Sequence, residues 1–159
     1  MDVLEQFKEV FQQVFDKEFQ IVEDPNIKTA EIDLGSRILR VNTEWLAHKL
    51  ERNPEAVEKV AFHEVAHVIY NYDKRVKQIW HGYWLKYKDI LAILLEHCCE
   101  VIRENEEEET FAELYSIFLM DDQNLIDTIR EAIRANRDLA EDIREAGNAI
   151  YKLFISGFH

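Results

Sequence analysis

The stretch "KVAFHEVAHVIYNY", residues 59–72, decides how the rest of the chain is interpreted. His63 and His67 stand four positions apart, and Glu64 follows the first histidine. Most of the other residues of this stretch are apolar or small: Val60, Ala61, Val65, Ala66, Val68 and Ile69. Upstream, the run Asn53-Pro54-Glu55 is typical of a helix start. We therefore predict a helix over residues 54–73 that carries both imidazoles on one face.

Two histidines one helical turn apart can bind a single metal ion, because each ring nitrogen reaches about 2.0–2.1 Å to zinc. Glu64 is rotated about 100° from His63 on the helix and can reach the open coordination position without binding the metal itself. Burying these polar side chains in an apolar run is costly without a partner, and a cation supplies one. The pattern predicts a Zn²⁺ site with Glu64 as its general base.

Upstream of this helix, the sequence predicts an amphipathic helix and a small sheet. Apolar residues at spacings of three and four predict the helix within residues 1–20. Residues 30–41 read as a hairpin with a two-residue turn at Gly35-Ser36, and "FQIVE" reads as a third short strand. A short helix follows, with Thr43 as its expected N-cap.

Downstream, the sequence is mainly helical. Residues 74–84 lack a clear period and are interpreted as a loop or a broken helix, followed by a strongly helical segment from Leu85. A further helix is predicted over 106–120, and 121–159 reads as two helical segments with a weak break near 136–138. Without repeats or linkers, we expect one domain over 1–159, of α+β class and mostly helical.

Catalytic zinc requires a third protein ligand, and the residues alone leave several candidates. Asp73 stands six positions after His67, where some zinc peptidases carry their third ligand. Glu96 and Glu100 lie among apolar residues of the preceding predicted helix. The acidic run Glu106–Glu109 starts the 106–120 helix, where acidic side chains favour the macrodipole and usually face water. We expect Glu106, Glu107 and Glu108 to do so.

The segment "EETFAELYSIFL", residues 108–119, resembles the second motif of the gluzincin zinc metallopeptidases, the group of thermolysin-like enzymes and M1 aminopeptidases. Their motif follows the pattern N-E-G-F-A-E-Y, here with Glu108 in place of Asn and Thr110 in place of Gly. The resemblance implies a zincin-like fold in which Glu109 is the third zinc ligand. It also implies that Glu113 accepts a hydrogen bond from a ligand histidine.

The resemblance further implies peptide-bond hydrolysis by a zinc metallopeptidase. Glu64 would take a proton from zinc-activated water and pass it to the leaving amine. Such enzymes usually add a Tyr or His electrophile, and the candidates are Tyr72, His81, Tyr83, Tyr115 and Tyr151. An extended peptide or protein substrate would pair with an edge strand, for which the 30–41 hairpin is the candidate.

Composition narrows the partners and the setting. The net charge of −13 disfavours nucleic acid and anionic membrane surfaces. No apolar run is long enough for a membrane span, and the charged N-terminus is not that of a secretory signal. Cys98 and Cys99 are adjacent and form no disulfide framework, so we expect buried thiols and a cytoplasmic setting.

Two other functional classes fit parts of the sequence. A non-catalytic helical module, stabilised by zinc or by packing alone, could bind a partner through the C-terminal helices at 121–159. A di-iron carboxylate bundle would need two Glu-x-x-His pairs on facing helices. Glu64 and His67 form one such pair, and the sequence shows no second one.

Overall fold

A computed structural model describes residues 2–15, 18–98 and 106–156. It is mostly helical with one three-stranded sheet, which confirms the α+β, mostly helical class. The described chain forms two compact units, residues 1–68 and 69–159. None of the described helices is long and apolar enough to cross a membrane.

The first unit contains the sheet and two helices, and the third helix begins in it. The elements are α1 (Val3–Phe15), β1 (Gln20–Glu23), β2 (Ala30–Asp33), β3 (Ile38–Val41), α2 (Thr43–Arg52) and α3 (Ala56–Tyr72). The core includes the rings of Phe7 and Phe11 on α1, with Phe19 in edge contact with Phe11 at 5.5 Å between centroids. The predicted N-terminal helix and third strand are therefore confirmed.

The strand order is β1-β3-β2, with β1 parallel and β2 antiparallel to β3. Ile21, Leu39 and Ile32 are aligned across the three strands, and Leu39 is fully buried at the centre. The predicted hairpin is confirmed, but β3 is the central strand. Only β2 can serve as the hairpin's edge.

Two local predictions in this unit were wrong. The hairpin connection spans residues 34–37, because the Asp33 carboxylate accepts the backbone N–H groups of Gly35 and Ser36 and ends the strand early. Arg37 then adopts a left-handed φ of 58°. The N-cap of α2 is Asn42, whose side chain accepts from Trp45 N, whereas the Thr43 hydroxyl donates to Glu23.

The second unit is helical, and its elements after the end of α3 are α4 (Lys74–Cys98), α5 (Glu107–Met120), α6 (Asp122–Ala135), a short 3₁₀ turn (Arg137–Leu139) and α7 (Ala140–Ile155). Its core is aromatic: Trp80 lies 5.3 Å from Phe111 and 6.1 Å from Phe154 between ring centroids. The predicted helices at 106–120 and 121–159, with their break near 136–138, are confirmed within residues 106–156.

The segment 74–84 is helical, so the loop interpretation was wrong. Asp73 is the single residue between α3 and α4, and its carboxylate accepts from the N–H groups of Arg75 and Val76. A break does exist in α4, but it lies at Tyr87, where φ is −117° and ψ is 18°.

The structure describes only the first of the two adjacent cysteines. Cys98, the last residue of α4, is half-buried, and its Sγ atom lies 3.7 Å from the backbone carbonyl oxygen of Leu95. Cys99 lies outside the described residues.

Candidate metal centre

The two histidines of the quoted stretch are close together on α3. Their Nε2 atoms are 3.1 Å apart, and both side chains are half-buried. Two nitrogen ligands at about 2.05 Å from one tetrahedral ion would be about 3.3 Å apart. The separation of His63 and His67 therefore suits two ligands of one ion.

Glu109, in the first turn of α5, completes a group of three candidate ligands. The ligand atoms that His63, His67 and Glu109 offer all lie within 4.8 Å of one another. It is the one such group of three or more His, Cys, Asp or Glu side chains in residues 2–15, 18–98 and 106–156. A carboxylate can close the remaining distance to an ion by rotating its side chain.

The donor set fits a divalent metal of the zinc type. Two imidazoles and one carboxylate are a ligand set found in catalytic zinc sites, which leave a fourth position for water or substrate. The same set also accommodates iron, nickel and copper, because imidazole binds each of them. The chemistry of the three side chains therefore fits the expected Zn²⁺ without selecting it over every other ion.

Glu64 is the most deeply buried acidic side chain among the described residues, with 7% of its surface exposed. The flanking Val65, Ala66 and Val68 are fully buried, so Glu64 lies within a buried stretch of α3. It follows His63 directly but is not one of the three grouped ligands. That placement is compatible with a base beside the ion.

The rival ligands do not join this group. The Asp73 carboxylate caps α4 through its two backbone hydrogen bonds, which explains its position directly after α3. Glu96 is exposed on α4. Glu100 lies outside the described residues.

The first turn of α5 holds a residue that the sequence interpretation missed. We expected Glu107 to face water, but its side chain is only 24% exposed. Its Oε2 accepts from the Tyr70 hydroxyl at 2.6 Å, and its Oε1 lies 2.7 Å from His81 Nδ1. One signal could have revealed this. Glu107 precedes the buried Phe111 by four positions and therefore shares its helix face.

The five candidate electrophiles have different surroundings. Tyr72 is 46% exposed, whereas Tyr115 is buried and its pKa is raised to about 12 by that burial. Burial and the adjacent Glu107 carboxylate raise the pKa of Tyr70 well above its usual value. The other three candidates are in contact with neighbours: His81 with Glu107, Tyr83 with the ring of Trp80, and Tyr151 with Asp122.

Glu113 stands one turn after Glu109, on the same side of α5, and is half-buried. Its role as an outer acid that orients a ligand histidine stays a prediction.

Comparison with known protein families, with curated proteins and with solved structures finds no match for this chain.

Proposed function

We propose that this protein is a metal-dependent hydrolase of the zinc metallopeptidase type. The observation that carries the proposal is the convergence of three ligand atoms of the correct kinds within 4.8 Å. Glu109 stands 42 positions along the chain, from residue 67 to residue 109, so local sequence cannot account for its proximity to the histidines.

His63, His67 and Glu109 would hold the ion, and Zn²⁺ is the metal that suits them best as a catalytic set. When bound, the ion would lower the pKa of a coordinated water and polarise the substrate carbonyl. Each histidine would present Nε2 to the metal and keep its proton on Nδ1. The half-buried position of all three side chains limits competition from bulk water.

Glu64 would be the proton carrier. Its carboxylate accepts a proton as water attacks the scissile carbonyl and donates it to the leaving amine. Its burial directly after His63 supports this role, because the carboxylate lies beside a candidate ligand and is shielded from bulk water.

The substrate would be a peptide or protein in an extended conformation. The β2 strand, Ala30–Asp33, pairs on one side with β3 and is an edge of the described sheet. Main-chain hydrogen bonds along this edge would hold an extended chain, as in β-augmentation. A zincin-like fold, with the sheet edge beside the metal helix, belongs to the same proposal.

The decisive experiment compares the wild-type protein with Glu64→Gln, after zinc loading, on a mixture of fluorogenic peptides. We expect one zinc per chain in both proteins and loss of hydrolysis by at least about 100-fold in the variant, since general-base catalysis contributes about 10²–10⁴-fold. Glu58→Gln is the matched control, because Glu58 is an exposed glutamate on the same helix.

Three outcomes would contradict the proposal in different ways. Full hydrolysis by Glu64→Gln would end its role as the base. Zinc binding without hydrolysis of any peptide in the wild type would favour the non-catalytic helical module. Two irons per chain in metal analysis would favour the di-iron carboxylate class.

A further inference from the structure

The acidic start of α5 is held by three side chains that are neither candidate metal ligands nor the general base. Tyr70 and His81 contact the two carboxylate oxygens of Glu107 separately, at 2.6 Å and 2.7 Å. The indole N–H of Trp80 donates to the backbone carbonyl of Glu107 at 2.9 Å. Both the side chain and the main chain of this residue are therefore held in place.

The helical spacing relates this cluster to the candidate ligands. Tyr70 is seven positions after His63, so it lies within about 20° of the same face of α3. Glu107 is two positions before Glu109, so its side chain points about 160° away around α5. The side chains of Glu107 and Glu109 therefore cannot bind the same metal ion. Holding Glu107, however, fixes the rotation of the turn that presents Glu109.

Ring packing fixes the same turn against translation. Phe111, one turn after Glu107, is fully buried, and its ring centroid lies 5.3 Å from those of both Tyr70 and Trp80. Sliding α5 along its axis would break these ring contacts and the Glu107 hydrogen bonds together. Because these ring contacts and hydrogen bonds would be lost together, they restrain the position of α5 more strongly than a single hydrogen bond would.

We propose that Tyr70, assisted by His81 and Trp80, is a positioning residue that orients Glu109 toward the metal by clamping Glu107. The inference rests on the proposed metal function. Tyr70 itself binds no metal in this scheme. Loss of its hydroxyl leaves every ligand in place but frees the turn that carries one of them.

The test is Tyr70→Phe, which removes the hydroxyl and keeps the ring on Phe111. We expect the zinc dissociation constant to rise about 10-fold, the lower end for lost outer contacts of a metal site. Competition with a chromophoric chelator measures it, and the visible absorption of the Co²⁺-loaded protein reports altered coordination. Tyr151→Phe is the matched control, because its hydroxyl also donates to a carboxylate, that of Asp122. It should leave both readouts unchanged.

Substitutions of Glu107 provide a second test, which does not depend on the folding of Tyr70→Phe. Glu107→Gln keeps one oxygen to accept from Tyr70 and should lose less zinc affinity than Glu107→Ala. Equal affinities for the wild type, Tyr70→Phe and Glu107→Ala, with loss in Glu109→Ala, would overturn the positioning role and leave the metal function standing.

A metal-free measurement separates the two ideas. The Thr110 N–H donates to the Glu106 carbonyl in the first hydrogen bond of α5. Hydrogen exchange at this amide in zinc-free protein should be at least about 5-fold faster in Tyr70→Phe than in Tyr151→Phe. If wild-type protein binds no zinc, the metal function fails, and this exchange rate alone decides the clamp: unchanged exchange overturns it.

Discussion

Tyr115 lies in the aromatic core of the second unit, with its ring centroid 4.9 Å from that of Phe154. Burial raises the pKa of its hydroxyl to about 12, whereas an unfolded tyrosine ionises near 10. The folded state therefore keeps this proton at pH values where the unfolded chain has released it. Its contribution to stability is fully present below pH 10 and is lost as the pH rises through about 12.

We expect Tyr115→Phe to flatten the alkaline loss of stability. Between pH 9 and pH 11, the wild type should lose about 1 kcal/mol more of its unfolding free energy than the variant, because one titrating group is removed. Urea unfolding at the two pH values measures the difference. Tyr72→Phe, at an exposed tyrosine, should behave as the wild type does. Parallel curves for all three proteins would contradict the assignment.

The proximity of the two candidate ligand histidines could be predicted from the sequence. A spacing of four residues places His63 and His67 on one face of a helix, because helical geometry is local. The 3.1 Å distance between their Nε2 atoms agrees with this prediction. The roles of Asp73 and Glu107 could not be predicted from the sequence. Whether a carboxylate caps a helix, meets a tyrosine or faces water depends on partners elsewhere in the fold.

At the scale of helices, two glycines occupy contrasting sites. Gly82 lies in α4, and a Cβ at this position would meet no atom within 4 Å. Gly147 lies in α7, and a Cβ there would approach Ile129 Cδ1 to 2.8 Å and its Cγ atoms to 3.0 Å. Gly147 therefore permits the close packing of α7 on α6.

The two alanine substitutions should change stability in opposite directions. Gly82→Ala should raise the unfolding free energy by about 0.5–1 kcal/mol, because alanine loses less backbone entropy in a helix. Gly147→Ala should lower it by about 1–3 kcal/mol, because Ile129 must move in a packed interface. Thermal and urea unfolding measure both. Stabilisation by both substitutions would show that Ile129 yields without cost.

Elements with a regular apolar period were predictable, and those whose pattern mixes buried and capping roles were not. The α1 helix and the β2–β3 hairpin follow simple periods of burial. The start of α4 does not. Trp80 is buried in a distant aromatic core while the adjacent His81 is largely exposed and pairs with Glu107, so the period is hidden among aromatic residues.

At the scale of the whole molecule, metal binding should be linked to folding. Glu109 lies 42 positions after His67 in the sequence, so the unfolded chain does not present all three candidate ligands together. Glu109 could be predicted only through the gluzincin resemblance. Spacing alone left Asp73, Glu96 and Glu100 as alternatives, because proximity across 42 positions, from residue 67 to residue 109, is set by tertiary structure.

We expect zinc to stabilise the wild-type protein against unfolding by about 2.7 kcal/mol when free zinc is 100 times its dissociation constant. Chelation with EDTA should reverse the effect. In Glu109→Ala the stabilisation should fall at equal zinc concentration, because one of three ligands is gone. Differential scanning calorimetry with and without the metal provides the measurement. Equal zinc-dependent shifts in the two proteins would place the ion elsewhere.

The junction at Asp73 has a consequence for how this chain can change length. With one residue between α3 and α4, an inserted amino acid that extended either helix would turn the following side chains by about 100°. Trp80 and His81 would then miss the Glu107 that they contact. Insertions and deletions in homologous sequences should therefore avoid this corner and accumulate in longer surface connections between elements.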